Sequence, residues 1–137
     1  MNLIFKIALL GTLLLAANAP ADDLGNSKQI LCSILNVNAC QADGNCTAVA
    51  AADFNIPQFI EIDTKTGTLS TTAASGENRE TPASQVSRED GRLLIHGNQM
   101  GRAFSLQIQE SSGQASFASV ADGAAMTIFA ACTPRPD

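Results

Sequence analysis

Gly91-Arg-Leu-Leu-Ile-His-Gly-Asn-Gln-Met-Gly-Arg-Ala-Phe-Ser-Leu-Gln-Ile108 is the stretch whose reading decides the fold. Two extended runs flank Asn98-Gln99-Met100-Gly101, and Gly101 suits the left-handed conformation that closes a four-residue turn. Pairing Gly97 with Arg102 sets Ile95 opposite Phe104 and Leu93 opposite Leu106, which makes one face of the hairpin apolar. A slip of one residue sets Phe104 against His96 and loses the match, so the hydrophobic pattern chooses the register.

The same rhythm extends outward. Downstream, Ser111-Ser112-Gly113 turns the chain into residues 114–120, and Asp122-Gly123 is a two-residue hairpin signal leading to residues 124–132. Upstream, Glu89-Asp90-Gly91 turns back to a short strand at Val86, and residues 59–63 and 68–72 flank Thr64-Lys65-Thr66-Gly67, a second four-residue loop ending in glycine. Residues 73–82 are rich in Ser, Gly, Glu and Asn, and form the longest unpatterned connection, the first candidate for a flexible or binding loop. Residues 50–55 suit one helical turn, stopped by Pro57.

Residues 28–36 admit two readings. Behind a Ser27 cap, Ile30, Leu31, Ile34 and Leu35 share a helical face, whereas Leu31, Leu35, Val37 and Ala39 share the parity of a strand. The strand is preferred, because Asp43-Gly44 suits a hairpin returning through residues 47–49 and a disulfide across that turn needs its arms side by side. The fold class is then all-β: a small antiparallel meander forming a barrel or sandwich of seven to eight strands. Its expected core is Ile60, Ile62, Leu69, Val86, Leu93, Ile95, Phe104, Leu106, Ile108, Phe117, Val120, Met126, Ile128 and Phe129. Closing the barrel would leave no exposed sheet edge.

The first residues read as a signal peptide. A positive start ending at Lys6, an apolar run over residues 7–17 and the small-residue exit Ala19-Pro20-Ala21 place the cut after Ala21. A bilayer span needs about 20 apolar residues, more than this run holds. The division is residues 1–21 as signal and residues 22–137 as a single β domain, opened by a mobile polar leader, residues 22–26. Removing Lys6 leaves seven basic against thirteen acidic side chains, a net charge of about −6 that opposes binding to nucleic acid or to an anionic membrane surface.

Four cysteines in an exported chain read as two disulfides with three open pairings. Cys40–Cys46 with Cys32–Cys132 is the pairing expected: the first staples a tight loop and the second ties the first strand to the last. A metal site is not expected, since Cys-x5-Cys and Cys-x7-Cys lack the close pairs of zinc ribbons and the chain has one histidine. No cofactor motif is present, and no phosphate-cradling glycine loop.

Several phrases in fixed order, Asn55-Ile-Pro-Gln-Phe-Ile-Glu-Ile-Asp63, Arg79-Glu-Thr-Pro82, Val86-Ser-Arg-Glu-Asp-Gly-Arg-Leu-Leu-Ile95, Gly101-Arg-Ala-Phe-Ser-Leu106 and Ala131-Cys-Thr-Pro134, resemble a group of small exported proteobacterial proteins. The likeness spans nearly all of residues 22–137 with the cysteine spacing. It implies a periplasmic domain and carries over no catalytic or binding residue.

Among side chains able to do chemistry, His96 with Met100 is best read as a solvent-facing strand residue near a hairpin tip, and no Gly-x-Ser-x-Gly elbow accompanies it. Glu61 with Asp63, and Glu89 with Asp90, read as a solvated strand face and a turn, without the aromatic platforms a sugar-cleaving cleft needs. Arg79, Arg88, Arg92 and Arg102 fall close together in the chain and form the candidate binding surface, suited to two-point contact with a carboxylate or other anion. The expectation is a non-enzymatic periplasmic or secreted β-barrel domain that binds a protein partner or a small anionic ligand in the cell envelope. The alternatives are a hydrolase-like enzyme using His96 or the acidic pairs, and a structural envelope protein.

Overall fold

The computed structural model describes residues 23–135, so the expected signal peptide, residues 1–21, lies outside the described residues. Ten strands follow in order: β1 (Gln29–Gln41), β2 (Cys46–Val49), β3 (Phe59–Asp63), β4 (Leu69–Thr71), β5 (Glu80–Thr81), β6 (Gln85–Glu89), β7 (Arg92–Gln99), β8 (Arg102–Gln109), β9 (Gln114–Ala121) and β10 (Ala124–Pro134). They form one curled antiparallel sheet in the order β5-β4-β3-β1-β10-β9-β8-β7-β6, with β2 paired to the second half of β1. The architecture is all-β, as the alternation requires, but not one simple meander. Two meandering arms, β3 to β5 and β6 to β10, meet where β1 is set between β3 and β10.

The β7–β8 hairpin keeps the expected apolar face with a different register. Gln99, not Gly97, lies opposite Arg102, and Gly97 faces Phe104, Ile95 faces Leu106 and Leu93 faces Ile108. The turn is the two residues Met100 and Gly101, both in the left-handed region at φ 53° and 76°. Such a turn matches the right-handed twist of the flanking strands better than a four-residue loop. A shift of two residues preserves parity, which is why the inward side chains come out right while their partners do not. By contrast, Thr64 to Gly67 do form the expected four-residue loop, with the Asp63 N–H donating to the Thr68 carbonyl at 3.0 Å and Gly67 N–H to the Asp63 carbonyl at 2.8 Å.

Methionine is an odd choice for a left-handed turn position, where asparagine before glycine is favoured. Met100→Asn is expected to raise stability by about 0.5–1 kcal/mol. A higher urea midpoint with an unchanged denaturant slope would register it.

β1 is a strand throughout, and its two halves bury opposite parities. Ile30, Cys32 and Ile34 point inward, Leu35 is 67% exposed, and Val37 points inward again. The pairing with β10 shifts between Ile34 and Asn36, so a β-bulge at Leu35 swaps the faces. Leu31, Leu35, Val37 and Ala39, which share a parity in an unbroken strand, therefore do not share a face: only Val37 is buried, because unbroken alternation cannot register an inserted residue. Val120 and Phe129, expected in the core, are 52% and 46% exposed. They point outward because their neighbours Ser119 and Ile128 point in.

The polar leader is not loose. Asp23 Oδ1 accepts from the Gly25 amide at 2.9 Å and starts a short 3₁₀ turn (Leu24–Asn26). That turn inserts Leu24, fully buried, into one end of the curled sheet, and the Leu24 N–H donates to the Glu110 carbonyl at 2.9 Å. Residues 73–82 are also more ordered than their composition suggests: a 3₁₀ turn (Ala73–Ser75) and β5 lie within them, with β5 pairing β4. Residues 50–55 do coil into a single 3₁₀ turn (Ala51–Phe54), ended by Asn55 in the left-handed region.

The two outer strands of the curl, β5 and β6, come together without a ladder between them. The Gln99 side chain of β7 reaches β5, its Oε1 accepting from Thr81 Oγ1 at 2.6 Å and its Nε2 donating to the Glu80 carbonyl at 3.0 Å, while the Ser84 N–H donates to the His96 carbonyl at 2.7 Å and extends the β6–β7 pairing. No backbone ladder joins β5 to β6, only side-chain bonds cross between the two arms there, and the expectation of a sheet without free edges is corrected accordingly. Both expected disulfides are present, each joining directly facing residues with Cα atoms 4.0 Å apart: Cys32–Cys132 across β1 and β10, Cys40–Cys46 across β1 and β2.

Candidate binding cavity at the open end of the sheet

The curl has two unlike ends. At the first, Leu24, Ile30, Leu93 and Ile108 are wholly buried and fill the interior. At the second, several inward positions carry small side chains or none. Gly97 has none, and a Cβ there would lie 2.3 Å from Phe104 Cζ; the bare Cα lets the Phe104 ring lie across β7 and stack on Phe117, centroids 5.7 Å apart. Ala115, Ser119 and Ala130 also line this part of the interior.

What remains is a cavity of about 600 Å³. That is a usual size for a small-molecule site. Its floor is Ile34, Ile60, Phe104, Phe117 and Ile128, and residues Asn55, Ile56 and Pro57, just past the short 3₁₀ turn, wall one side. The rim carries the polar groups: Asn78, Arg79, Glu80, Thr81, Gln99 and Arg102, with Met100 beside them at the hairpin tip.

The four arginines expected to share a surface are divided between the two ends. Arg79 and Arg102 belong to the rim. Arg92 lies opposite Gln109, seven residues along β8 from Arg102, hence about 23 Å away at strand rise. Arg88 is at that same far end, where its Nε donates to Glu110 Oε1 at 2.7 Å. Glu110 is buried, and the pair acts as a latch beside the Leu24 plug. The single four-arginine surface is therefore corrected: proximity in sequence placed the residues on adjacent strands, and strand length pulled them apart.

Arg79 is already committed. Its Nε donates to Glu77 Oε2 at 2.7 Å and its Nη1 to the Asn55 carbonyl at 2.9 Å. The buried Nη2 lies 2.6 Å from Glu77 Oε2, a charge contact without the alignment of a hydrogen bond. Arg102, at the start of β8, is exposed, and its side chain makes no ion pair or hydrogen bond among the described residues.

The acidic residues have structural work. Glu61 pairs with Arg135 across the outer face. Asp63 Oδ1 accepts from the backbone N–H groups of Thr66 and Lys65, both at 2.9 Å, and Oδ2 from Gln29 Nε2 at 3.1 Å. The Thr66 amide first, with the Lys65 amide, the Thr66 side chain and Gln29, holds the Asp63 carboxyl below its usual range against a smaller opposing effect of burial. Stability from a depressed carboxylate is complete above its unfolded value and disappears as pH falls through the folded one. The urea midpoint should therefore drop below about pH 4, and Asp63→Asn should flatten that slope. Asp43, held down by the backbone and side chain of Asn45, acts in the same direction.

Glu89 ends β6 and Asp90 occupies a left-handed turn position at φ 50°. His96 lies between Gln85 and Ser105 on neighbouring strands, and among the described residues no group of three metal-ligating side chains comes together. No helix among the described residues is long and apolar enough to cross a membrane.

Sequence reasoning placed Ile60, Phe104, Phe117 and Ile128 in the core and Arg79 and Arg102 among the binding candidates, but did not show that they surround a cavity. Ile34 was hidden by the bulge, and Asn55 to Pro57 lie in a connection without periodicity, while Asn78 falls in the loop of residues 73–82 already marked as a binding candidate. The available signal was Gly97, an inward strand position without a side chain. Comparison with protein-family models, with curated proteins and with solved structures finds no match.

Proposed function

We propose that the chain is a non-enzymatic binding domain of the periplasm or of the secreted fraction, holding a small, largely apolar ligand at the open end of its curled sheet. The observation that carries this reading is the cavity itself: an apolar floor of Ile34, Ile60, Phe104, Phe117 and Ile128 under a rim of polar side chains. The two disulfides support an oxidising compartment. The engagement of Glu61 and Asp63 in an ion pair and a turn, and the position of His96 on β7 away from both, weigh against the hydrolase alternative.

A neutral, solvent-sensitive naphthylamine dye tests it. The dye should brighten on the wild type, and Ala130→Trp or Ser119→Trp, each filling the cavity from a different strand, should lower its affinity about tenfold or more. Thermal melts identify a variant that has failed to fold. No brightening with the wild type, or equal brightening with both folded tryptophan variants, would overturn the proposal.

A further inference from the structure

We infer that the ligand is a single-chain amphiphile with an anionic head, its alkyl tail on the apolar floor and its head at Arg102. The inference rests on the cavity reading above and adds the chemical class of the ligand.

The charges at the rim single out one group. Arg79 is paired in charge with Glu77 and fixed to the Asn55 carbonyl, so its positive charge is already balanced within the protein. Glu80 brings one carboxylate to the rim, and it makes no ion pair with Arg102 among the described residues. Among the described residues Arg102 is the rim guanidinium without a charge partner, five N–H donors in a planar fork that fits a carboxylate or sulfate. It also borders a second hollow of about 530 Å³, between the β1–β2 turn and the β9–β10 turn, so it is approached from two sides. The acid of that second hollow, Asp43, is occupied by the amide and side chain of Asn45.

Met100 supplies an independent argument. It is 93% exposed and held at φ 53°, next to Arg102 and at the edge of the apolar floor. The flexible thioether is suited to folding over an alkyl chain whose head is held by the adjacent residue. The protein as a whole is acidic and repels anions, so an anionic head must be recognised by a local cation.

The experiment displaces the neutral naphthylamine dye from the full-length mature protein with dodecanoate, dodecanol or dodecylammonium, all below their micelle-forming concentrations. Dodecanoate should displace about tenfold more strongly than dodecanol, with dodecylammonium weakest. Arg102→Gln should abolish the preference for dodecanoate while leaving dodecanol unchanged, and Arg92→Gln, at the far end, should behave as the wild type. If the dye binds but dodecanol matches dodecanoate, or Arg102→Gln keeps the preference, the anionic head is wrong and the cavity reading stands. If the dye does not bind, both fall. Binding to phosphatidylglycerol vesicles without displacement by monomeric dodecanoate would also overturn the inference, since the surface would then read a bilayer and not a single chain.

Discussion

Replacing Cys32 and Cys132 together by alanine is expected to lower the unfolding free energy by about 4–5 kcal/mol. The bridge joins residues 100 apart in the chain, and closing a loop of that length removes about 4.7 kcal/mol of entropy from the unfolded state in the chain-entropy model. Both residues are buried, at 3% and 6% exposure, so the substitution also thins the packing around Ile30 and Ile60. A domain of this size holds roughly 5–15 kcal/mol in all, and the melting temperature should drop by on the order of 20 °C. The β1–β10 ladder stays intact and the variant should still fold. Removing Cys40 and Cys46 should cost about half as much, because their loop is short. Urea titrations without reductant check the series; a change below about 1 kcal/mol for the long bridge would show that the ladder, not the crosslink, confines the chain ends.

Gly113→Ala should be nearly as damaging, at about 3–4 kcal/mol. Gly113 sits at φ 69°, and a Cβ on it would lie 2.1 Å from the carbonyl oxygen of Cys132. The obstacle is backbone, which no rotamer change can clear. Its own carbonyl accepts the Cys132 N–H at 2.7 Å, so moving apart breaks that bond too. Gly123→Ala is the matched control: its φ is also 69°, but the nearest atom to a Cβ there is Ala42 Cβ at an ordinary 3.8 Å, so only the conformational cost of about 1 kcal/mol remains. Equal losses for the two variants would show that strain, and not the approach to Cys132, governs the site.

The parts of the fold legible in the sequence were those specified by short-range chemistry. Alternation marked β7 to β10, turn residues placed Asp90-Gly91, Thr64 to Gly67 and Asp122-Gly123, and the oxidation state of four cysteines followed from their number. Parity survived the error in the β7–β8 turn because the shift was an even number of residues. The bulge at Leu35 defeated the same logic by adding one residue, and with it went Ile34 and the near wall of the cavity. The plug by Leu24 was hidden because one leucine in a polar segment has no period to betray it. The arginines illustrate the remaining gap. Sequence separation said that Arg92 and Arg102 shared a hairpin, which is correct, and only the register revealed that they occupy its opposite ends.

The position of β1 between β3 and β10 also dictates an order of events in time. A chain made from its amino end leaves β1 without its longest partner until residues 124–134 have been synthesised. Long-range pairing of this kind is slow to form. The Cys32–Cys132 bridge can close only once that last strand is present, whereas Cys40–Cys46 can close as soon as β2 has been made.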